Sequence, residues 1–142
     1  MNPFSAVLIS AIASMVLGFL WYGPVFGPAW MKFVGINKKD NEKRHKGMGQ
    51  MYGIMYVLNV VMATVIFYLI RGTAMSSVFT ILDSSSALRG MALGFAGGLG
   101  FTMTALGANY LANQKPFMLY VIDAGYMLVN ATLVGLVLGL LL

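Results

Sequence analysis

A single carboxylate inside an apolar run near the end of the chain has the clearest chemical potential. Asp123 lies seven residues after Pro116, within the apolar segment 116–142. A charged carboxylate about 10 Å inside a membrane helix costs on the order of a few kcal/mol unless it is hydrated or paired. No Lys or Arg lies at a comparable depth. We therefore expect Asp123 to be protonated, hydrogen-bonded by Tyr, Trp and Asn donors, or bound to a cation or a basic ligand.

The second, third and fourth apolar segments each carry two polar residues seven positions apart, and residues at this spacing share a helix face. The pairs are Tyr52 with Asn59, Thr102 with Asn109, and Asp123 with Asn130, and Tyr56 and Tyr126 lie on the faces of their neighbours. Trp21, Tyr22 and Tyr110 close the end nearer the basic residues. The spacing predicts a polar seam or cavity whose eight paired and neighbouring residues are candidates for binding a substrate or an ion. The alternative is a set of interhelical hydrogen bonds that only hold the bundle together.

The elements that must position these side chains are membrane-spanning helices. The 142 residues are 59% hydrophobic and 9% charged, far from the roughly 25% charge of soluble domains. The long apolar runs lack the alternation that a transmembrane barrel requires. The composition predicts an all-α, polytopic membrane protein, a four-transmembrane-helix bundle forming one domain, 1–142. The spans are expected at about 4–22, 50–70, 87–112 and 116–142.

The charged residues predict the topology. A polar loop at 31–49 holds six of the nine Lys and Arg residues, and Lys115 lies on the same side, leaving Arg71 and Arg89 opposite. Because basic residues stay in the cytoplasm, we expect a multi-pass membrane protein with this loop inside and both termini outside. Anionic lipid headgroups are the expected partners from Lys38 to Lys46, and no nucleic acid is expected.

Aromatic and glycine residues mark the ends and contact faces of the spans. The first helix is expected to end at Pro24, Pro28 and their preceding glycines. The aromatic residues around these prolines, Trp21, Tyr22 and Trp30, are expected to be interfacial. An interfacial turn of helix is expected between 73 and 86. Small residues four apart let helices approach closely, and these faces predict a homo-oligomer. The packing glycines are Gly90, Gly94, Gly98, Gly135 and Gly139.

Several chemistries are excluded by composition. The chain has no Cys, so it has neither a disulfide nor a thiolate metal site, and the single His45 cannot form a histidine cluster. We expect no metal, no cofactor and no catalytic residues.

Two motifs carry a family resemblance. The string LGFLWYGPVFGPAWMKFVGI begins at Leu17, and FMLYVIDAGYMLVNATLVGLVLG begins at Phe117. With the glycine-rich third segment between them, the chain resembles the uncharacterised four-span family called domain of unknown function 1761. This resemblance implies a small integral membrane protein, mostly bacterial and therefore of the bacterial inner membrane. It carries over no known biochemical activity.

Three functions fit these observations. The first is a small transporter or permeation protein for a cation, or for a proton-coupled or small amphiphilic substrate, with Asp123 as its ionisable group. The second is a membrane-embedded enzyme that binds a lipid or quinone-like substrate, although no catalytic set is visible. The third is a non-catalytic scaffold or accessory subunit.

Overall fold

A computed structural model describes residues 2–36, 48–71 and 86–141, and this part of the chain confirms the all-α prediction. Most of the predicted basic loop at 31–49 lies outside the described residues, as does nearly all of the predicted interfacial turn between 73 and 86. The described ranges contain six α-helices: α1 (Pro3–Leu20), α2 (Gly27–Val34), α3 (Met48–Arg71), α4 (Ser86–Gly97), α5 (Thr104–Ala112) and α6 (Phe117–Leu141). Two π-helical segments, Trp21–Val25 and Gly98–Met103, join α1 to α2 and α4 to α5.

Among the residues that the structure describes, four stretches are long and apolar enough to cross a membrane. They are Pro3–Val25, Tyr52–Ile70, Ser86–Leu111 and Phe117–Leu141. Helix α6 is the centre of the bundle, because it contacts all five other helices and is the most buried of the four. Its position places Asp123 where several elements converge.

The first span continues past Pro24, the first of the two prolines expected to end it, whereas Pro28 lies in α2. The Phe26 N–H donates to the Trp21 carbonyl oxygen at 2.8 Å, so a π-helical turn accommodates Pro24, which has no N–H of its own. The chain then turns into α2, which ends at Gly35 with φ 77°. Helix α2 therefore occupies the beginning of the predicted loop.

Gly27 is the residue that permits this turn. A Cβ added there would lie 2.5 Å from the Tyr22 carbonyl oxygen, a distance that no side chain tolerates. The turn positions Tyr22 and Trp30, on either side of it, over α6.

Helices α4 and α6 touch backbone to backbone. A Cβ on Gly90 would lie 2.1 Å from the Gly135 carbonyl oxygen, and one on Gly94 would lie 2.1 Å from the Ala131 carbonyl oxygen. A Cβ on Gly139 would lie 2.3 Å from the Ser86 carbonyl oxygen. The Ser86 hydroxyl donates to the Gly139 carbonyl oxygen at 2.6 Å. Gly98 faces Leu128 of α6. These glycines therefore meet a partner within the same chain.

Candidate functional site

The Asp123 carboxylate accepts three hydrogen bonds from aromatic side chains. Its Oδ1 accepts from the Tyr22 hydroxyl at 2.8 Å and from the Trp30 indole N–H at 3.0 Å. Its Oδ2 accepts from the Tyr110 hydroxyl. The expected tyrosine and tryptophan donors are therefore present around this acid, and no asparagine is among these three.

Each donor comes from a different element. Tyr22 lies in the first π-helical segment, Trp30 in α2 and Tyr110 near the end of α5. Asp123 is consequently the point at which three segments are joined to α6. Hydrogen bonds to charged groups contribute about 1.5–3 kcal/mol each, so three of them can offset the cost of placing a carboxylate in a span.

Aromatic rings surround this hydrogen-bonded group. The Trp21 indole N–H donates to the Ile122 carbonyl oxygen at 3.1 Å, and the Trp21 ring lies 4.6 Å from the Phe26 ring. Gly125 makes room for Trp21, because a Cβ there would lie 3.4 Å from the indole. The Tyr22 ring packs edge-on against Trp30, with centroids 5.6 Å apart. The packing fixes the donors in position around the carboxylate.

No basic side chain in the described part of the chain forms an ion pair with Asp123; its three partners are the neutral donors. An ionised carboxylate offers about four lone-pair positions. Three are occupied, so one acceptor position is left for a proton, a cation or a further donor.

A second polar group lies deeper in the bundle. The Ser14 hydroxyl on α1 donates to the Asn130 Oδ1 at 2.6 Å and also contacts the Asn59 Oδ1. The Asn59 amide nitrogen donates to the Met55 carbonyl oxygen at 2.9 Å. Ser14 thus joins α1, α3 and α6 at one point, and both Ser14 and Asn130 are buried.

Tyr126 lies between the two groups. Its ring lies 5.0 Å from that of Tyr22, and it lies one helical turn before Asn130 on the same face of α6. A Cβ on Gly18 would lie 3.0 Å from the Tyr126 hydroxyl, so the glycine makes room for it. These polar side chains therefore follow one side of α6 from Asp123 to the Asn130 region, about 10 Å along the helix.

The predicted site residues divide into two sets. Asp123, Tyr126, Asn130 and Asn59 belong to these two polar groups or lie between them. Tyr52 is 40% exposed, Tyr56 and Thr102 are partly buried, and Asn109 is exposed and accepts from Asn113 at 3.2 Å. Among the described residues, none of these four donates to Asp123 or Asn130.

The π-helical segment Gly98–Met103 explains why Tyr110 takes the place predicted for Asn109. A π-helical turn inserts one extra residue into the α-helical repeat, which rotates everything after it by about 100°. Thr102 lies inside this segment and Asn109 lies after it. The two residues therefore do not share a face, as they would in an unbroken α-helix.

The residues predicted as interfacial are half-buried partners of α6. Trp21 bonds to the Ile122 carbonyl, while Tyr22 and Trp30 bond to Asp123. Ser14 is a residue that the sequence reasoning missed. The sequence does contain a pattern that indicates Ser14 as a contact residue. Ser10, Ser14 and Gly18 lie four apart on the first span and form a face of small residues.

In the described ranges, no group of three or more His, Cys, Asp or Glu side chains converges. The fold and site define a multi-pass helical membrane protein with a polar interior. A family model described as "Protein of unknown function (DUF1761)" matches residues 5–139, so the chain belongs to this family and the resemblance is confirmed. No curated protein and no solved structure matches the chain.

The end of α5 carries a backbone strain that is testable. Gln114 has φ 51°, a left-handed conformation that costs a side-chain-bearing residue about 1 kcal/mol or more. Gln114→Gly is therefore expected to raise the free energy of unfolding by about 1 kcal/mol, measured by thermal or denaturant unfolding in detergent. Asn113→Gly is the control; with φ −90° and a side-chain bond to the Asn109 carbonyl, it should lose stability. A less stable Gln114→Gly protein would contradict the account.

Proposed function

We propose that this protein is a small transporter or permeation protein in which Asp123 binds and releases a proton or another cation. The observation that carries the proposal is a carboxylate within a span held only by neutral donors among the described residues. Ionisable residues inside a membrane commonly mark ion pathways and proton relays. Because no described basic residue neutralises Asp123, its charge is free to change with the bound ion.

A path leading away from Asp123 is supported by the polar residues deeper in the bundle, namely Tyr126, Ser14, Asn130 and Asn59. These groups combine hydroxyls and amides, which can donate and accept hydrogen bonds. We assign Tyr126 and Ser14 to the path between the acid and the middle of the bundle.

The proposed topology places Asp123 toward the cytoplasm. Lys115 lies at the same end of α6 as Asp123, and the basic loop follows α2. By the positive-inside rule this end is cytoplasmic, in the bacterial inner membrane, with both termini on the other side. A homo-oligomer is also proposed, but its contact must use another surface, because the packing glycines already face partners within the chain.

Proteoliposomes test the function. With an imposed membrane potential and a trapped pH-sensitive dye, the wild-type protein is expected to conduct protons or to couple their movement to uptake of an amphiphilic cation. Asp123→Asn should reduce this flux to that of empty vesicles, because the amide cannot ionise. Tyr68→Phe is the matched control, since Tyr68 is 68% exposed on α3 and its loss should leave the flux unchanged. Equal flux in the wild type and in Asp123→Asn would contradict the proposal.

A further inference from the structure

A groove lies where α5 meets α6, beside the Asp123 site. It encloses about 180 Å³ and is lined by Gly107, Tyr110, Leu111, Lys115, Phe117 and Tyr120. Tyr110 belongs both to this groove and to the group around Asp123. The other five lining residues have no part in the site described above.

The walls of the groove are apolar and accessible. Leu111 is 81% exposed and Phe117 is 72% exposed, at the ends of two spans. Gly107 leaves space beside the Tyr120 ring, since a Cβ there would lie 3.3 Å from it. The Tyr120 hydroxyl donates to the Met103 carbonyl oxygen at 3.2 Å, which holds the ring in the wall. Such walls suit a hydrocarbon chain at the edge of a bilayer.

The rim of the groove is positively charged. The charge is that of Lys115, which lies in the groove lining. The backbone N–H of Lys115 donates to the Tyr110 carbonyl oxygen at 3.0 Å, and the backbone N–H of Gln114 donates to the Leu111 carbonyl oxygen at 3.1 Å. These two bonds close the end of α5 and fix the Lys115 backbone at the rim. Helix α6 begins two residues later with no acidic residue in its first turn. The rim is therefore complementary to an anion.

We propose that this groove binds an anionic phospholipid, with the phosphate at Lys115 and an acyl chain along Leu111 and Phe117. An apolar groove with one cation at its rim matches a molecule that is anionic at one end and hydrocarbon at the other. Because Tyr110 forms a wall and also donates to Asp123, the bound lipid contacts the element that holds the acid. The site does not depend on the transport proposal.

Lipid binding to the full-length protein in detergent tests the inference, using fluorescent phosphatidylglycerol and phosphatidylcholine with the same acyl chains. Phosphatidylglycerol should bind more tightly, and Lys115→Gln should weaken it about fivefold, the effect of one basic residue near an anionic surface. Lys32→Gln is the matched control, because Lys32 is an exposed lysine on α2 at the same end of the bundle. The affinity of the Lys32→Gln variant for phosphatidylglycerol should equal that of the wild type. Melting temperatures of both variants establish that they are folded.

Three outcomes would overturn the inference. One is equal affinity for the two lipids, and another is an equal loss in Lys115→Gln and Lys32→Gln, which would indicate general surface charge. The third is displacement of the lipid by millimolar inorganic phosphate, which would assign the site to a free anion. Since binding is measured without flux, failure here leaves the transport proposal intact, and the converse also holds.

Discussion

Gly135→Ala is expected to lower the free energy of unfolding by about 3 kcal/mol, the upper end of the usual cost of overpacking. A Cβ at this position would lie 2.0 Å from the Gly90 carbonyl oxygen and 2.7 Å from its carbon. Both atoms are backbone, so they cannot move aside as a flexible side chain would. Helices α4 and α6 would have to separate along the face that also contains Gly94.

The matched control for this prediction is Gly97→Ala in α4. A Cβ on Gly97 meets nothing within 4 Å, and alanine favours a helix over glycine by up to about 1 kcal/mol. The control should therefore be neutral or stabilising in the same unfolding assay. Equal stability of the two variants would contradict the backbone contact between α4 and α6.

Asp123→Leu is expected to destabilise the protein by about 3 kcal/mol or more. Leucine has a similar size but accepts no hydrogen bond, so the two tyrosine hydroxyls and the Trp30 indole lose their acceptor. A fully buried donor left unpaired costs about 1–3 kcal/mol, and these three are partly buried, so together they account for the expected loss. Asp123→Asn should cost less, because its amide oxygen can still accept from Tyr22 and Trp30.

A combined variant separates lost hydrogen bonds from lost charge. Adding Tyr22→Phe and Tyr110→Phe to Asp123→Leu removes two of the orphaned donors, so the triple variant should be less destabilised than the sum of its parts. The measurement is unfolding in detergent, followed by circular dichroism. If Asp123→Leu proved more stable than the wild type, burial cost would dominate, and the three hydrogen bonds would not stabilise the fold.

The fold was predictable because span length and apolarity are properties of local sequence. The same holds for Asp123, whose charge inside an apolar run is visible without any tertiary information. Asn59 and Asn130 were also predictable, since α3 and α6 keep a regular helical period across them. Ser14 then bonds to both side chains in the structure.

The rest depended on departures from the regular helix. Because of the π-helical segment at Gly98–Met103, Tyr110 rather than Asn109 faces Asp123. The π-helical segment at Trp21–Val25 extends the first span past Pro24. Neither could be deduced from a constant 3.6-residue period. Trp30 reaches Asp123 because Gly27 allows a tight turn, a contact between residues 93 positions apart. Interfacial aromatics and aromatic hydrogen-bond donors have the same sequence signature, so the sequence could not distinguish them.

Infrared difference spectroscopy tests the central claim most directly, namely that Asp123 is an ionisable group that takes up and releases a proton. The chain has four acidic residues, Asp40, Glu42, Asp83 and Asp123, so each protonation adds a carboxylic acid C=O band. The account predicts that lowering the pH of the reconstituted protein produces such a band that is reversible and missing from Asp123→Asn. A wild-type spectrum identical to that of Asp123→Asn at every pH would contradict it.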